Sequence, residues 1–236
     1  MAIIEQPLAI GTGNARSATT LGVFTRPKTK TGWRSWVTTV DHKKIGIMYG
    51  GAALVFFLVG GIEALLIRLQ LARPDGNLLS AETYNQVYTM HGVTMIFLVA
   101  MPMGAAFSNY FIPLQVGARD VAFPRLNAFS FWCFLTGALF LNSSWFLGGG
   151  ADGGWFGYAP NTGVAFAPGH GMDFYALGLQ ITGIASLVGA INLITTVLNM
   201  RAPGMSLFKM PVFTWMTLVT QFLLLFAIPV ITVAQI

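Results

Sequence analysis

The chain has 236 residues, of which 55% are hydrophobic and 9% charged, against roughly 25% charged in an ordinary globular domain. So few charged side chains cannot cover the surface of a soluble protein of this length, and a single cysteine excludes an internal disulfide. The net charge of +5 does not read as a nucleic-acid surface, because seven of the 13 basic residues lie in the first 44 positions without a basic–aromatic weave, a placement that suits topogenic signals.

Residues 1–34 form a polar, basic arm with no apolar stretch long enough for the core of a secretory signal. The first apolar span runs from about 45 to 67, interrupted by Glu63 and closed by Arg68. The second covers roughly 87–112, the third 128–147, the fourth 174–200 and the fifth 210–236. Each reaches the ~20 residues that cross ~30 Å of hydrocarbon as a helix. None alternates as a barrel strand does. The predicted fold class is therefore an all-α integral membrane protein, its helices rich in the Gly and Ala that permit close packing. Between spans three and four, the 148–173 loop is rich in Gly and Pro yet holds Trp155, Phe156 and Tyr158. Glycine permits tight turns and the rings supply packing area, so this loop is expected to form an ordered cap over the helix ends. Ile236 falls inside an apolar run with no polar flank, which suggests a truncated chain or one piece of a longer, split polypeptide.

Charge orients the spans. Arg16, Arg26, Lys28, Lys30, Arg34, Lys43 and Lys44 precede span one; Arg119 and Arg125 follow span two; Arg201 and Lys209 follow span four. The other side carries only Arg68 and Arg73. Eleven basic residues against two place the N-terminus in the cytoplasm. Trp36, Trp145 and Trp215 fall near span ends, where interface anchors sit.

A polar group inside a membrane helix is costly unless it faces the bundle or water, so each is a functional candidate. His91, in span two, has two readings: a histidine bonded to a neighbouring helix, or a metal or haem ligand. One histidine cannot complete a metal site, and His42 and His170 fall in loops by this reading. Arg68 either snorkels to the interface or pairs with a buried acceptor near His91. At the basic end, Asn109, Asp120, Asn127 and Ser130 come together in sequence, the last two on one helix face. Span four adds Thr182 and Ser186, then Asn192, Thr196 and Asn199. These residues either line a water-filled proton path that begins at Asp120, or serve as caps and interhelical hydrogen bonds.

The segments WVTTVDHKKIGIMYG, YNQVYTMHGVTMIFLVAMP, NYFIPLQVGARDVAFPRLNAFSFW, GGWFGYAP, GAINLITTVLNMRAPGM and PVFTW resemble subunit I of the haem–copper terminal oxidases. The bacterial cytochrome c oxidases of the aa3 or caa3 type look closest, over about residue 35 to the end. The resemblance implies the first five transmembrane helices of a twelve-helix bundle, with 1–34 as a cytoplasmic arm and 35–236 as the N-terminal part of the subunit I domain. It implies that His91 is an axial ligand of a low-spin haem a iron, that Arg68 bonds the formyl group of that haem, and that Trp155 lies near its propionates. Asp120 becomes the entrance of the D proton pathway, Asn109 and Asn127 organise water inside it, and Tyr49, Ser130, Ser186 and Asn192 line it further. Ala185 stands where many members carry another serine. The high-spin haem, the CuB centre, their ligands and the second low-spin ligand are implied to lie beyond residue 236. By the same resemblance the whole protein passes electrons from cytochrome c to oxygen, makes water and pumps protons. Its partners are the remainder of subunit I, oxidase subunits II and III, cytochrome c and membrane lipid, with no nucleic acid. Its place is the bacterial inner (plasma) membrane, multi-pass with a cytoplasmic N-terminus.

Related quinol oxidases are the nearest alternative. Their quinol-site positions read here Val59, Glu63, Thr83 and Gln86, so only the glutamine is unchanged and Glu63 keeps the charge. Without the arginine and histidine such a site holds quinone oxygens poorly, which favours cytochrome c. A multi-span transporter would show paired broken helices from an internal repeat, and none is visible. A non-catalytic membrane anchor gives no reason for His91, Arg68 and Asp120 to match together.

Overall fold

The structure, a computed structural model, describes residues 32–235. Arg16, Arg26, Lys28 and Lys30, most of the 1–34 arm and Ile236 lie outside the described residues. A short helix α1 (Arg34–Val37) leads to the first long helix, α2 (His42–Gln70). The Asp41 side chain accepts the backbone N–H of Lys43 and so caps α2. His42 is thus corrected from loop to helix: it opens α2 and is only 2% exposed. The cap, not the onset of hydropathy, sets where the helix begins.

Span two is α3 (Ala81–Val93), a π-helical turn (Thr94–Ala100) and α4 (Met101–Val116), 36 residues without a break. Ser80 caps it by accepting the Thr83 N–H. Its length at 1.5 Å per residue is about 54 Å, well beyond ~30 Å of hydrocarbon. The polar turns 81–86, which the apolar reading left outside, therefore stand clear of the lipid core. Gly117, in the left-handed region at φ 74°, ends α4. The remaining spans are α5 (Pro124–Ser143), prolonged by a 3-10 turn at Ser144–Phe146, then α6 (Gly171–Asn199) and α7 (Val212–Ala234). Five helices are long and apolar enough to cross a membrane, and the described residues form no strand.

The helices pack where side chains are small. A Cβ added at Gly137 on α5 would sit 2.8 Å from Thr182 Cγ2 and 3.0 Å from the Gly178 carbonyl oxygen on α6. Lipid supplies no hydrophobic drive between helices, so such backbone approach is what holds them together. Leu54, Leu58, Ile62 and Leu65 on α2 and Phe226, Val230 and Val233 on α7 remain exposed, an outward apolar surface suited to lipid or to further helices.

The 117–123 loop is fastened at one end of the bundle. The Ala202 N–H donates to the Val116 carbonyl at 2.8 Å, the Ala122 N–H to Thr196 Oγ1 at 2.8 Å and the Phe123 N–H to Asn192 Oδ1 at 2.8 Å. With the His42–Asp120 contact at 3.0 Å, these bonds gather the start of α2, the 117–123 loop and the turn after α6. Lys43, Lys44, Arg119, Arg125, Arg201 and Lys209 thus share one end, while Arg68 and Arg73 lie at the other. In a background with Cys133→Ala, a cysteine placed at Lys43 or Arg119 is expected to react with a membrane-impermeant thiol reagent from one side only. A cysteine at Tyr158 should react from the opposite side. Labelling of all three from the same face would refute this arrangement.

The 148–173 loop is ordered by packing, as its composition predicts. Ala151 and Ala167 are buried, Tyr175 donates its hydroxyl proton to the Trp155 carbonyl at 2.6 Å, and the Gly154 N–H donates to Thr89 Oγ1 at 2.9 Å. Phe156 and Tyr158 stack on each other with centroids 5.2 Å apart and stay exposed.

Candidate functional site

His91 lies in the last turn of α3, partly buried. Its Nδ1 is 2.9 Å from the Gly60 carbonyl oxygen on α2. A carbonyl can only accept, so Nδ1 carries the proton and Nε2 keeps its lone pair. This is the way metal-binding imidazoles are oriented, with one nitrogen held by the backbone and the other presented to the ion. The surroundings are shaped for close approach. A Cβ at Gly60 would meet Met95 Sδ at 2.8 Å, and one at Gly92 would meet Trp155 Cβ at 3.1 Å. Trp155 is thereby seated against the residue next to His91, and its ring lies 6.4 Å from that of Phe97. The π-helical turn starts three residues after His91. Such turns are rare and frequent at functional sites, and hydropathy patterning gave no sign of it.

Arg68 is exposed in the last turn of α2 and, among the described residues, makes no hydrogen bond. It does not pair with an acceptor near His91. Glu63, one helical turn from Gly60, is instead the buried charge of this region at 6% exposure. Neither of its oxygens has a hydrogen-bond partner of good geometry, although the Thr94 hydroxyl faces it. Among the described residues no three His, Cys, Asp or Glu side chains converge.

At the basic end the geometry is denser. Asp120 is 13% exposed, and its Oδ1 accepts from the Val121 N–H at 2.9 Å and faces His42 Nδ1 at 3.0 Å. The buried imidazole of His42 thus has one nitrogen on a carboxylate and a second, Nε2, buried with no partner. Ser130 donates to the Asn127 carbonyl at 3.0 Å, which leaves the Tyr49 hydroxyl to donate to Ser130 Oγ at 3.0 Å. Asn109 donates through Nδ2 to the Ala105 carbonyl at 2.9 Å. Asn109 Oδ1 and Asn127 Nδ2 are buried without partners. A cavity of about 400 Å³ opens beyond them, and Tyr49, Asn109, Ser130, Thr182 and Ser186 are on its wall.

The structure therefore brings together Tyr49, Asn109, Ser130 and Ser186 around one cavity, with Asn127 bonded to Ser130. Asn192 is placed differently. Its amide is taken up by both backbone groups of Phe123, at 2.8 Å and 3.3 Å, so it fastens the loop and does not reach the cavity wall. His42 was missed as a member of this group. The signal was present in Asp41, a strong capping residue immediately before it, which places His42 inside a helix.

Residues 44–236 match the family described as cytochrome C and quinol oxidase polypeptide I. Cytochrome c oxidase subunit 1 of Bacillus subtilis is 57% identical over 198 residues, covering 84% of this chain and 32% of that protein. Its counterpart in Bacillus sp. strain PS3 is 57% identical over 201 residues, covering 85% and 32%. Quinol oxidase subunit 1 of Bacillus subtilis is 48% identical over 202 residues, covering 86% and 31%. The chain spans about a third of the length of the curated relatives it matches. With a family match over most of its length and five membrane-length helices, this chain belongs to the subunit I family of the haem–copper cytochrome c and quinol oxidases.

Proposed function

We propose that this chain is the N-terminal part of the catalytic subunit of a proton-pumping cytochrome c oxidase. It would supply one axial ligand of the low-spin haem and the entrance of the D proton pathway. The carrying observation is His91, whose Nδ1 is committed to the Gly60 carbonyl and whose Nε2 lone pair is left for iron. The imidazole's free Nε2 is the feature that suits a haem iron, and the close packing of Trp155 on Gly92 seats that ring, from the loop, beside His91. A haem bound there supplies reversible one-electron storage. His91 would hold it, with the imidazole oriented by the Gly60 carbonyl. Arg68, exposed here, is assigned to the haem's formyl group and Trp155 to its propionate side. The high-spin haem and CuB are assigned to helices of the remaining subunit I, and subunits II and III complete the assembly. The N-terminus is assigned to the cytoplasm of a bacterial cell.

The proton path is read from the orphaned polar atoms. Buried polar groups without protein partners are usually met by ordered water. Asn109 Oδ1 and Asn127 Nδ2 are such groups, and Asn109 lines the cavity together with Tyr49, Ser130 and Ser186. Asparagines and hydroxyls donate and accept without trapping a proton, so they suit the ordering of a water file.

One observation favours quinol as a second possible donor: the buried, unpartnered carboxyl of Glu63 on the face that α2 turns to span two. The purified whole complex separates the two. Its dithionite-reduced spectrum should show the α band of haem a, and it should consume oxygen with reduced cytochrome c and not with a short-chain quinol. Turnover with the quinol alone would replace the donor, and a complex without haem would exclude the oxidase reading.

A further inference from the structure

We infer that Trp33, Arg34, Trp36, Lys43 and Lys44 form a site for the headgroup of an anionic phospholipid, in the leaflet at the basic end of the bundle. Trp33 and Trp36 stand three residues apart at α1 and so share one face, on which Val37 follows. All three are exposed, Trp33 at 71%. Rings of this size are costly to leave in water, whereas a membrane–water boundary serves both the apolar body of an indole and its N–H. The position of α1 fits that boundary. The apolar stretch of α2 begins at Ile45, so its first turn, with Lys43 and Lys44, stands at headgroup depth, and α1 comes just before it in the chain.

The cations give the ligand its sign. Arg34 Cζ lies 5.6 Å from the centroid of the Trp33 ring, and Lys44 Nζ lies 5.4 Å from that of Trp36 and 3.2 Å from Ser35 Oγ. A cation resting on an indole keeps N–H donors for a second partner. Among the described residues no carboxylate is ion-paired with Arg34, Lys43 or Lys44. The acids of this end are engaged elsewhere, Asp41 by the Lys43 backbone N–H and Asp120 by His42. A phosphodiester supplies the missing oxyanion to the guanidinium and ammonium groups, and its acyl chains supply apolar cover to the indoles and Val37. The simpler account is that these cations are solvated charges serving topology alone. Arg119, exposed at the same end with no aromatic ring beside it among the described residues, fits that account. It gives no reason for two bare indoles on one face, each with a cation over its ring.

The test places the intact complex in phosphatidylcholine vesicles that carry a small fraction of photoactivatable phosphatidylglycerol or, in a second arm, photoactivatable phosphatidylcholine. After illumination, mass spectrometry measures labelling of the 33–44 segment against the 207–215 segment, where exposed Phe208 sits beside Lys209 at the same end. Phosphatidylglycerol should label 33–44 in preference to phosphatidylcholine, and by more than it prefers 207–215. Arg34→Gln and Lys43→Gln remove a charge without breaking a side-chain hydrogen bond within the protein, so haem content should stay unchanged. Each should lower the preference about fivefold, the effect of one cation at a charged membrane surface. Lys44→Arg keeps the charge and should keep the preference. Equal labelling of 33–44 by the two lipids overturns the inference and leaves plain interface anchoring. A preference no greater than that of 207–215, or one that survives both charge removals, overturns it as the general charge of this end. Absence of labelling by either lipid also overturns it, since a protein segment would then cover the face.

Discussion

His91→Ala is expected to remove the low-spin haem signal from the assembled oxidase. Replacing even an outer partner of a metal-bound imidazole costs about 10- to 100-fold in metal affinity, and deletion of the ligand itself should cost more. The substitution leaves the Gly60 carbonyl, which now accepts from Nδ1, without its donor, and opens space between α2 and α3 where the ring packed. The expected result is loss of the low-spin optical and magnetic signature, with haem content falling toward one haem per complex. Because the close contact at Gly60 falls on Met95 and Thr94, the helix pair should still associate, and the detergent-solubilised complex should still be recovered. An unchanged low-spin spectrum in His91→Ala would show that the imidazole is only a bond between two helices.

Asp120→Asn is expected to slow steady-state oxygen uptake by about a hundredfold, the lower end of what a positioned proton-transfer group contributes, and to abolish proton pumping into vesicles. The substitution keeps the volume and an oxygen acceptor for the Val121 N–H and His42, so the loop, which Thr196 and Asn192 also hold, should remain in place. Haem content should be unchanged. Were Asp120 only a loop cap, the variant would turn over and pump as wild type with somewhat reduced thermal stability. Oxygen uptake and proton release measured in the same vesicle preparation distinguish the two outcomes.

The existence and type of the five spans follow from hydropathy and length, since a run of ~20 apolar residues must satisfy its own backbone in lipid and does so as a helix. Span ends were less legible. Polar turns at 81–86 and the His42 turn belong to helices because of the Ser80 and Asp41 caps, which hydropathy does not register. The polar residues were recognisable as candidates because polarity inside a span is costly. Their partners were not, because bonds such as His91 to Gly60, His42 to Asp120 and Tyr49 to Ser130 join residues 31, 78 and 81 apart in the chain.

By itself, then, the sequence determined an all-helical membrane bundle, the segregation of basic residues to one end, and the two centres of interest at His91 and Asp120. Tertiary structure alone decided that Asn192 fastens the 117–123 loop and not the cavity, that Arg68 is exposed at the end of α2, and that His42 joins Asp120. The physical reason is that helix formation in a membrane depends on local composition. The service of a polar side chain depends instead on which acceptor or donor another helix brings within hydrogen-bond reach, and that is fixed by how glycine-lined faces such as those of α5 and α6 let the helices meet.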